Sequence, residues 1–262
     1  MRNNSVEVIV ISLSTATERR RNMTTMLEGS SLKWSFFDAH RGPDNPVLSY
    51  DAERVQSRFS RELSRQEIAV YSSHFSAMQA FLERDAADYL LILEDDVIFD
   101  IDFPLDSFAN YCAERDFDYV RLFGRNPAKC NWIGYFVDRS IIRYKSSPAG
   151  TQAYLMSKRG AKIFTENFRS IEATIDLAMD RFWDSQMPLY SIFPFPVIER
   201  YSPTSIPIAA HDGALDAAHK LAWRVNRMMD KARKVYANVA LRRTDAQMRR
   251  RSPKFEQVRE VA

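Results

Sequence analysis

Tyr89, Leu90, Leu91, Ile92 and Leu93 form an unbroken apolar run, and Glu94, Asp95 and Asp96 follow it directly. A strand without polar alternation is buried on both faces, which is the habit of parallel sheets covered by helices. Val6–Leu13, Lys33–Ala39 and Asp118–Phe123 read as further strands. Helical stretches separate them, so the pattern predicts an α/β chain with a mixed, mostly parallel central sheet. Ligands of such sheets bind beyond the carboxyl ends of the strands, and the acidic triplet sits at one of those ends. Side chains alternate along extended chain. Glu94 and Asp96 are therefore expected on one side and Asp95 on the other.

The helical stretches carry their own signals. Ser14 or Thr15 is placed to cap a helix running to about Glu28. Ser64 and Glu67 form a capping box, each satisfying a free amide at a helix start. Ile68, Tyr71, Phe75, Met78 and Leu82 then recur at steps of three and four. Past residue 125 the pattern loosens into short strands, a turn at Ser147–Gly150 and a helix from about Ser157. Thr174–Trp183 reads as one helix. Ser191–Val197, with Pro194 and Pro196, reads as an edge strand or extended segment.

Charge divides the chain in two. Residues 214–262 hold 13 Lys/Arg against 5 Asp/Glu, whereas the rest holds 24 against 29. We therefore expect a body over residues 1–213 and a basic tail over 214–262. In the tail, Leu221, Val225, Met228, Ala232, Val235 and Val239 mark an amphipathic helix; residues 242–262 lose the pattern and read as frayed.

Several function classes lose ground on composition. With 7 Gly there is neither GxGxxG nor GxxxxGK[ST], which disfavours the P-loop and kinase routes. Cys112 and Cys130 form no CxxC, and a reduced, cytoplasmic setting follows as the expectation. No run approaches a membrane span, and MRNNSVEVIVISLS lacks the apolar core and cleavage site of a signal peptide. An acidic body with no reading motif argues against nucleic acid.

The acids themselves have two readings. One is a solvated turn. The other is a hard divalent cation, which takes one or two carboxylates and completes its shell with substrate phosphates.

Six blocks in order resemble glycosyltransferase family 25, the lipooligosaccharide-type galactosyltransferases. VISLSTATERR is similar to the family's INLDRSxxR, FFDAHRG to its FxAxDG, and YLLILEDDVIF to its LxLEDDV. LSRQEIAVYSSHFSAMQAF, GTQAYLMSKRGAKIF and IDLAMDRFWDSQMPLYSIFPFPV resemble its helix with Ser-His, its Gly-Thr-x-Ala-Tyr segment and its close at Pro-x-Pro-Val. The match departs at Ser12, Ser14, His40, Arg41, Gln66, Ser72 and Met78.

The resemblance implies a GT-A-like, Rossmann-type fold, inverting transfer from a UDP-sugar, often UDP-galactose, and dependence on Mn²⁺ or Mg²⁺. Carried over residue by residue, it makes Asp96 the metal ligand with Glu94 as partner, and leaves Asp95 as the alternative ligand. Asp176 becomes the candidate base, with Asp180 one helical turn on. Ser12, Leu13, Ser14, Arg19, His74, Glu94, Asp95, Thr151, Gln152 and Tyr154 become candidates for the nucleotide-sugar. Arg19 equally fits a solvated helix face, His74 a packing or supporting role, and Tyr154 a core position. The acceptor expected is a bacterial surface glycan such as the lipopolysaccharide core, free or lipid-linked. An inactive sugar-binding relative and a nucleotidyltransferase-like enzyme are the alternatives. The tail then reads as a solvated tail or as a helix on an anionic membrane surface, anchored by Trp223 at the inner face of the cytoplasmic membrane.

Overall fold

The computed structural model describes residues 4–59, 61–200 and 217–252. The chain opens with β1 (Val6–Ser12), α1 (Thr17–Glu28) and β2 (Trp34–Asp38). Next come β3 (Ser49–Tyr50), α2 (Ala52–Phe59), α3 (Arg65–Arg84), β4 (Tyr89–Glu94), β5 (Val97–Phe99), α4 (Leu105–Ala113) and β6 (Tyr119–Arg121). A hairpin, β7 (Cys130–Phe136) and β8 (Arg139–Tyr144), precedes β9 (Ala153–Ser157), α5 (Lys158–Asn167), β10 (Ser170–Ile171), α6 (Ile175–Met179) and α7 (Phe182–Ser185). β11 (Tyr190–Phe193), β12 (Val197–Glu199), α8 (Ala217–Ala240) and α9 (Arg242–Arg251) complete it.

Eight strands form one sheet in the order β2-β1-β4-β9-β6-β11-β8-β7. Only β9 and β8 run against the others, because each pairs antiparallel with both of its neighbours. Six of the eight strands thus point the same way in a mixed sheet, with the antiparallel β9 set between β4 and β6. The alternation along β1 shows why it folds this way. Val8 and Val10 enter one core with Leu91 and Leu93, while Ile9 and Ile11 enter the other with Leu90 and Ile92. α1 and α4 cover the first face through Met23, Leu27 and Phe108; α3 and α5 cover the second through Tyr71, Phe75, Phe81 and Phe164. Each such side chain contributes about 1.5–3 kcal/mol on burial.

α3 carries the expected capping box. Other boundaries differ from the sequence reading. Ala16, not Ser14 or Thr15, occupies the N-cap of α1, with no side-chain cap; Thr15 instead accepts from Arg41 at 2.7 Å. The stretch 174–183 breaks into α6 and α7 around Asp180. Tyr190–Phe193 is no edge strand, for it lies between β6 and β8. The prolines follow it, where the chain leaves the sheet and pairs as β12 with β5 in a separate two-stranded sheet.

The tail also differs. Residues 242–251 form a helix where fraying was expected, held by a buried pair: Arg143 of β8 meets Asp245 of α9 at 2.7 Å. Asn131 and Asn238 complete that cluster. α8 lies on α2 and α7 through Asn226, which donates to the Ser57 carbonyl, and Asp230, which pairs with Arg181 at 2.8 Å. The expected boundary at 213/214 and residues 253–262 lie outside the described residues.

Candidate active site

β1, β2, β4, β6 and β11 all end at one edge of the sheet, and the antiparallel β9 begins there. At that edge β4 stops at Glu94, turns through Asp95 and Asp96, and returns as β5. The turn is pinned by its backbone: Glu94 donates its amide to the Gln152 carbonyl at 2.8 Å, and Arg200 donates to that of Asp96 at 2.7 Å.

The three acids part company, as the alternation predicts. Asp95 faces β1 and α1, accepting from Ser12 Oγ at 2.6 Å and Arg19 at 3.0 Å. Glu94 faces β9 and α3. Its Oε1 accepts from Thr151 Oγ1 at 2.7 Å and lies 3.5 Å from His74 Nε2. Burial pushes the Glu94 carboxyl up, but the His74 ring and the Thr151 hydroxyl together hold it below the usual range. Asp96 has one oxygen 3.5 Å from Arg19, while Oδ1 is buried with no hydrogen-bond partner. Burial first, and Glu94 second, push its carboxyl up to about 7.

Arg19 is therefore a cation beside the triplet, contributed by the first turns of α1. Ser12 and Leu13 position the turn indirectly. Both of their carbonyls accept from Arg20, and the Ser12 hydroxyl is engaged by Asp95. Ser14 is exposed in the turn after β1.

A second cluster supports the loop before β9. Asp180 is 0% exposed. Its carboxylate pairs with the buried Arg121 and accepts from the Ser147 hydroxyl and the Ala149 amide. Ala149 and Gly150 both adopt left-handed φ, 55° and 80°, which is costly for Ala149. At Gly150 a Cβ would lie 2.5 Å from Gln152 Oε1. Asp180 thus holds a strained loop and is not available as a base, which corrects the sequence reading. Asp176 is half-buried and accepts from the Gly150 and Leu177 amides, each at 2.9 Å. Its lone pairs are not exhausted by these two bonds.

His74 and Tyr154 are both 0% exposed, which favours the packing, supporting and core alternatives over direct contact with a ligand. They stack on one another, with Tyr154 Oη 3.0 Å from His74 Nδ1, and His74 links the pair to Glu94. Thr151 and Gln152 are also buried; Gln152 donates to Glu199 at 3.3 Å.

Two contributors escaped the sequence. Glu199 arrives on β12, where it adds negative charge near Asp96 and pairs with Arg125 at 3.2 Å. Arg121 interrupts the apolar stretch Asp118–Phe123; a cation inside a buried strand was the available signal for a buried acid.

The donor set suits a hard divalent ion. Asp96 offers a partnerless buried oxygen, and its charge is raised in energy by Glu94. No group of three or more His, Cys, Asp or Glu side chains converges as a ready-made metal cage among the described residues.

The chain with this acidic turn at the ligand edge of its sheet is a glycosyltransferase. It belongs to the family described as Glycosyltransferase family 25 (LPS biosynthesis protein), whose profile matches residues 5–182. It is 28% identical over 200 residues to the lacto-N-neotetraose biosynthesis glycosyltransferase LgtE of Neisseria meningitidis serogroup B, covering 71% of each chain. It is 25% identical over 179 residues to the lipooligosaccharide biosynthesis protein lic2B of Haemophilus influenzae, covering 65% of this chain and 66% of the other. Among solved structures, a glycosyltransferase involved in glycosylation of the major capsid of PBCV-1 aligns at 14% identity with a TM-score of 0.33, over 61% of this chain and 62% of that one. That likeness is too slight to bear on the chemistry.

Proposed function

We propose that the protein transfers a sugar, galactose in the first instance, from a UDP-sugar to a lipopolysaccharide-type glycan with inversion at the sugar carbon. The reading rests above all on Asp96, whose buried oxygen lacks a partner beside Glu94 at the sheet's ligand edge. Asp96, with Glu94, would hold Mn²⁺ or Mg²⁺. When bound, such an ion stabilises negative charge on a departing diphosphate.

The chain's own groups supply the rest. Arg19, already between Asp95 and Asp96, sets positive charge at the same edge. Asp176 takes the proton of the acceptor hydroxyl on a carboxylate oxygen, while the hydroxyl oxygen bonds to the sugar carbon. The bond from that carbon to the phosphate oxygen breaks, and its electron pair leaves with the nucleotide. The Gly150 amide fixes the carboxylate's orientation for this step. A lipid-linked acceptor would place the work at the inner face of the cytoplasmic membrane. No helix among the described residues is long and apolar enough to cross one.

A screen of UDP-, GDP- and CMP-sugars for Mn²⁺-dependent hydrolysis tests the reading. UDP with Mn²⁺ should raise the melting temperature of the protein, and Asp96→Ala should abolish the rise. Stabilisation by none of the nucleotide-sugars would remove the proposal.

A further inference from the structure

α8 is mounted with its apolar stripe outward. Leu221 is 64% exposed, Met228 73% and Tyr236 79%, and Val225, Met229, Val235 and Val239 are all exposed as well. The face turned to the body is the more polar one, through Asn226, Asp230 and Asn238. A stripe over some 24 residues, about 36 Å at 1.5 Å per residue, is larger than a soluble surface tolerates without a partner.

The flank of the stripe says which partner. Lys220, Arg224, Arg227 and Lys231 each immediately precede a stripe residue, and all four are exposed. They form a basic edge parallel to the apolar one. α9 adds exposed Arg242, Arg243, Arg249, Arg250 and Arg251. Trp223 is not the anchor expected from the sequence. It is half-buried, with the Arg227 guanidinium 5.1 Å over its ring, and the outward aromatic is Tyr236. The stripe has the step of a coiled-coil seam. A second copy of this helix, however, would set like charges along both sides of that seam. An anionic lipid surface meets both features at once: acyl chains take the stripe, and headgroups take the basic edge.

We propose that α8 lies flat on an anionic bilayer, with Leu221, Val225, Met228, Val235, Tyr236 and Val239 inserted and the Lys220–Lys231 edge among the headgroups. A membrane-held acceptor, on the reading above, gives this docking its purpose, and the proposal rests on that reading for its sense alone.

Flotation of the full chain with phosphatidylglycerol/phosphatidylcholine vesicles, against pure phosphatidylcholine, tests it without using turnover. Partition should be at least ~10-fold stronger onto the anionic vesicles, since each basic side chain near such a surface contributes appreciably, and it should weaken at high salt. Met228→Glu with Val235→Glu should cut binding at least ~10-fold. K220Q/R224Q/R227Q/K231Q should do so too. Melting temperature and hydrolysis of a soluble donor should stay unchanged in both. Wild-type protein that floats with neither vesicle overturns the proposal, as does a glutamate variant that floats like wild type. A solution dimer that the glutamate variant converts to monomer overturns it too, in favour of a second copy. Flotation without donor hydrolysis supports the docking and counts only against the transfer reading.

Discussion

Thr151 donates its hydroxyl to Glu94 Oε1 at 2.7 Å, one residue after Gly150 gives its amide to Asp176. One short segment before β9 therefore ties the acidic turn to the candidate base. Thr151→Val should remove the first tie, cost about 1 kcal/mol in urea unfolding, and lower kcat/KM for donor hydrolysis several-fold. Thr151→Ser should restore both. A valine variant with full activity would show that Glu94 needs no such support.

Asp176 and Asp180 are separated by one helical turn yet should fail in opposite ways. Asp176→Asn keeps an acceptor for Gly150, so we expect stability within about 1 kcal/mol of wild type and kcat lowered ~10²–10⁴-fold. Asp180→Asn leaves Arg121 buried without its counter-charge, and should cost about 3–5 kcal/mol. Paired urea titrations and initial rates separate the two. An unstable Asp176 variant with normal kcat would reverse the assignment.

Asp96 makes stability depend on pH in the metal-free protein. Burial and the neighbouring Glu94 push its folded carboxyl up to about 7, well above the ordinary aspartate range. The folded state then holds a proton that the unfolded state has lost, so stability falls as pH rises from about 4 to about 7. Asp96→Asn should be close to neutral at pH 4 and stabilising by ~1–3 kcal/mol at pH 8, within the ~4 kcal/mol that three pK units allow. Melting curves in EDTA across that range would show it. Equal curves at pH 8 would mean that Asp96 carries no electrostatic strain. Added Mn²⁺ should then stabilise wild type and leave the variant unmoved.

Removing Asp245 should unseat the C-terminal helix. Asp245→Ala leaves Arg143 buried and unpaired, with an expected loss of about 3–5 kcal/mol. Arg143→Met in that background should recover part of it. Chemical denaturation of the three variants is the measurement; an Asp245→Ala protein as stable as wild type would mean that α9 is not held by this pair.

The sequence showed what local periodicity can show. The two-faced burial of β1 and β4, the capping box of α3, and the opposed aims of Glu94 and Asp95 follow from patterns a few residues long. What escaped was set by partners far along the chain. Asp180 looked like a base because Arg121, 59 residues earlier, could not be placed beside it. Tyr154 read equally as a sugar contact or as core, and the choice depended on where α3 would lay His74. α9 read as frayed because one buried acid, Asp245, rather than an apolar stripe, holds it. Ser191–Val197 looked peripheral because its prolines belong to the exit from the sheet and not to the strand itself.

The Arg143–Asp245 pair spans 102 positions, and that distance bears on synthesis. A ribosome delivers the hairpin β7–β8 long before α9 emerges. Until it does, the guanidinium of Arg143 has no counterion at its final address, and the outer strands of the sheet lack their cover. A helix made about a hundred residues after the hairpin is thus the piece that locks the far margin of the sheet, so a product that stops short of α9 would leave that margin open.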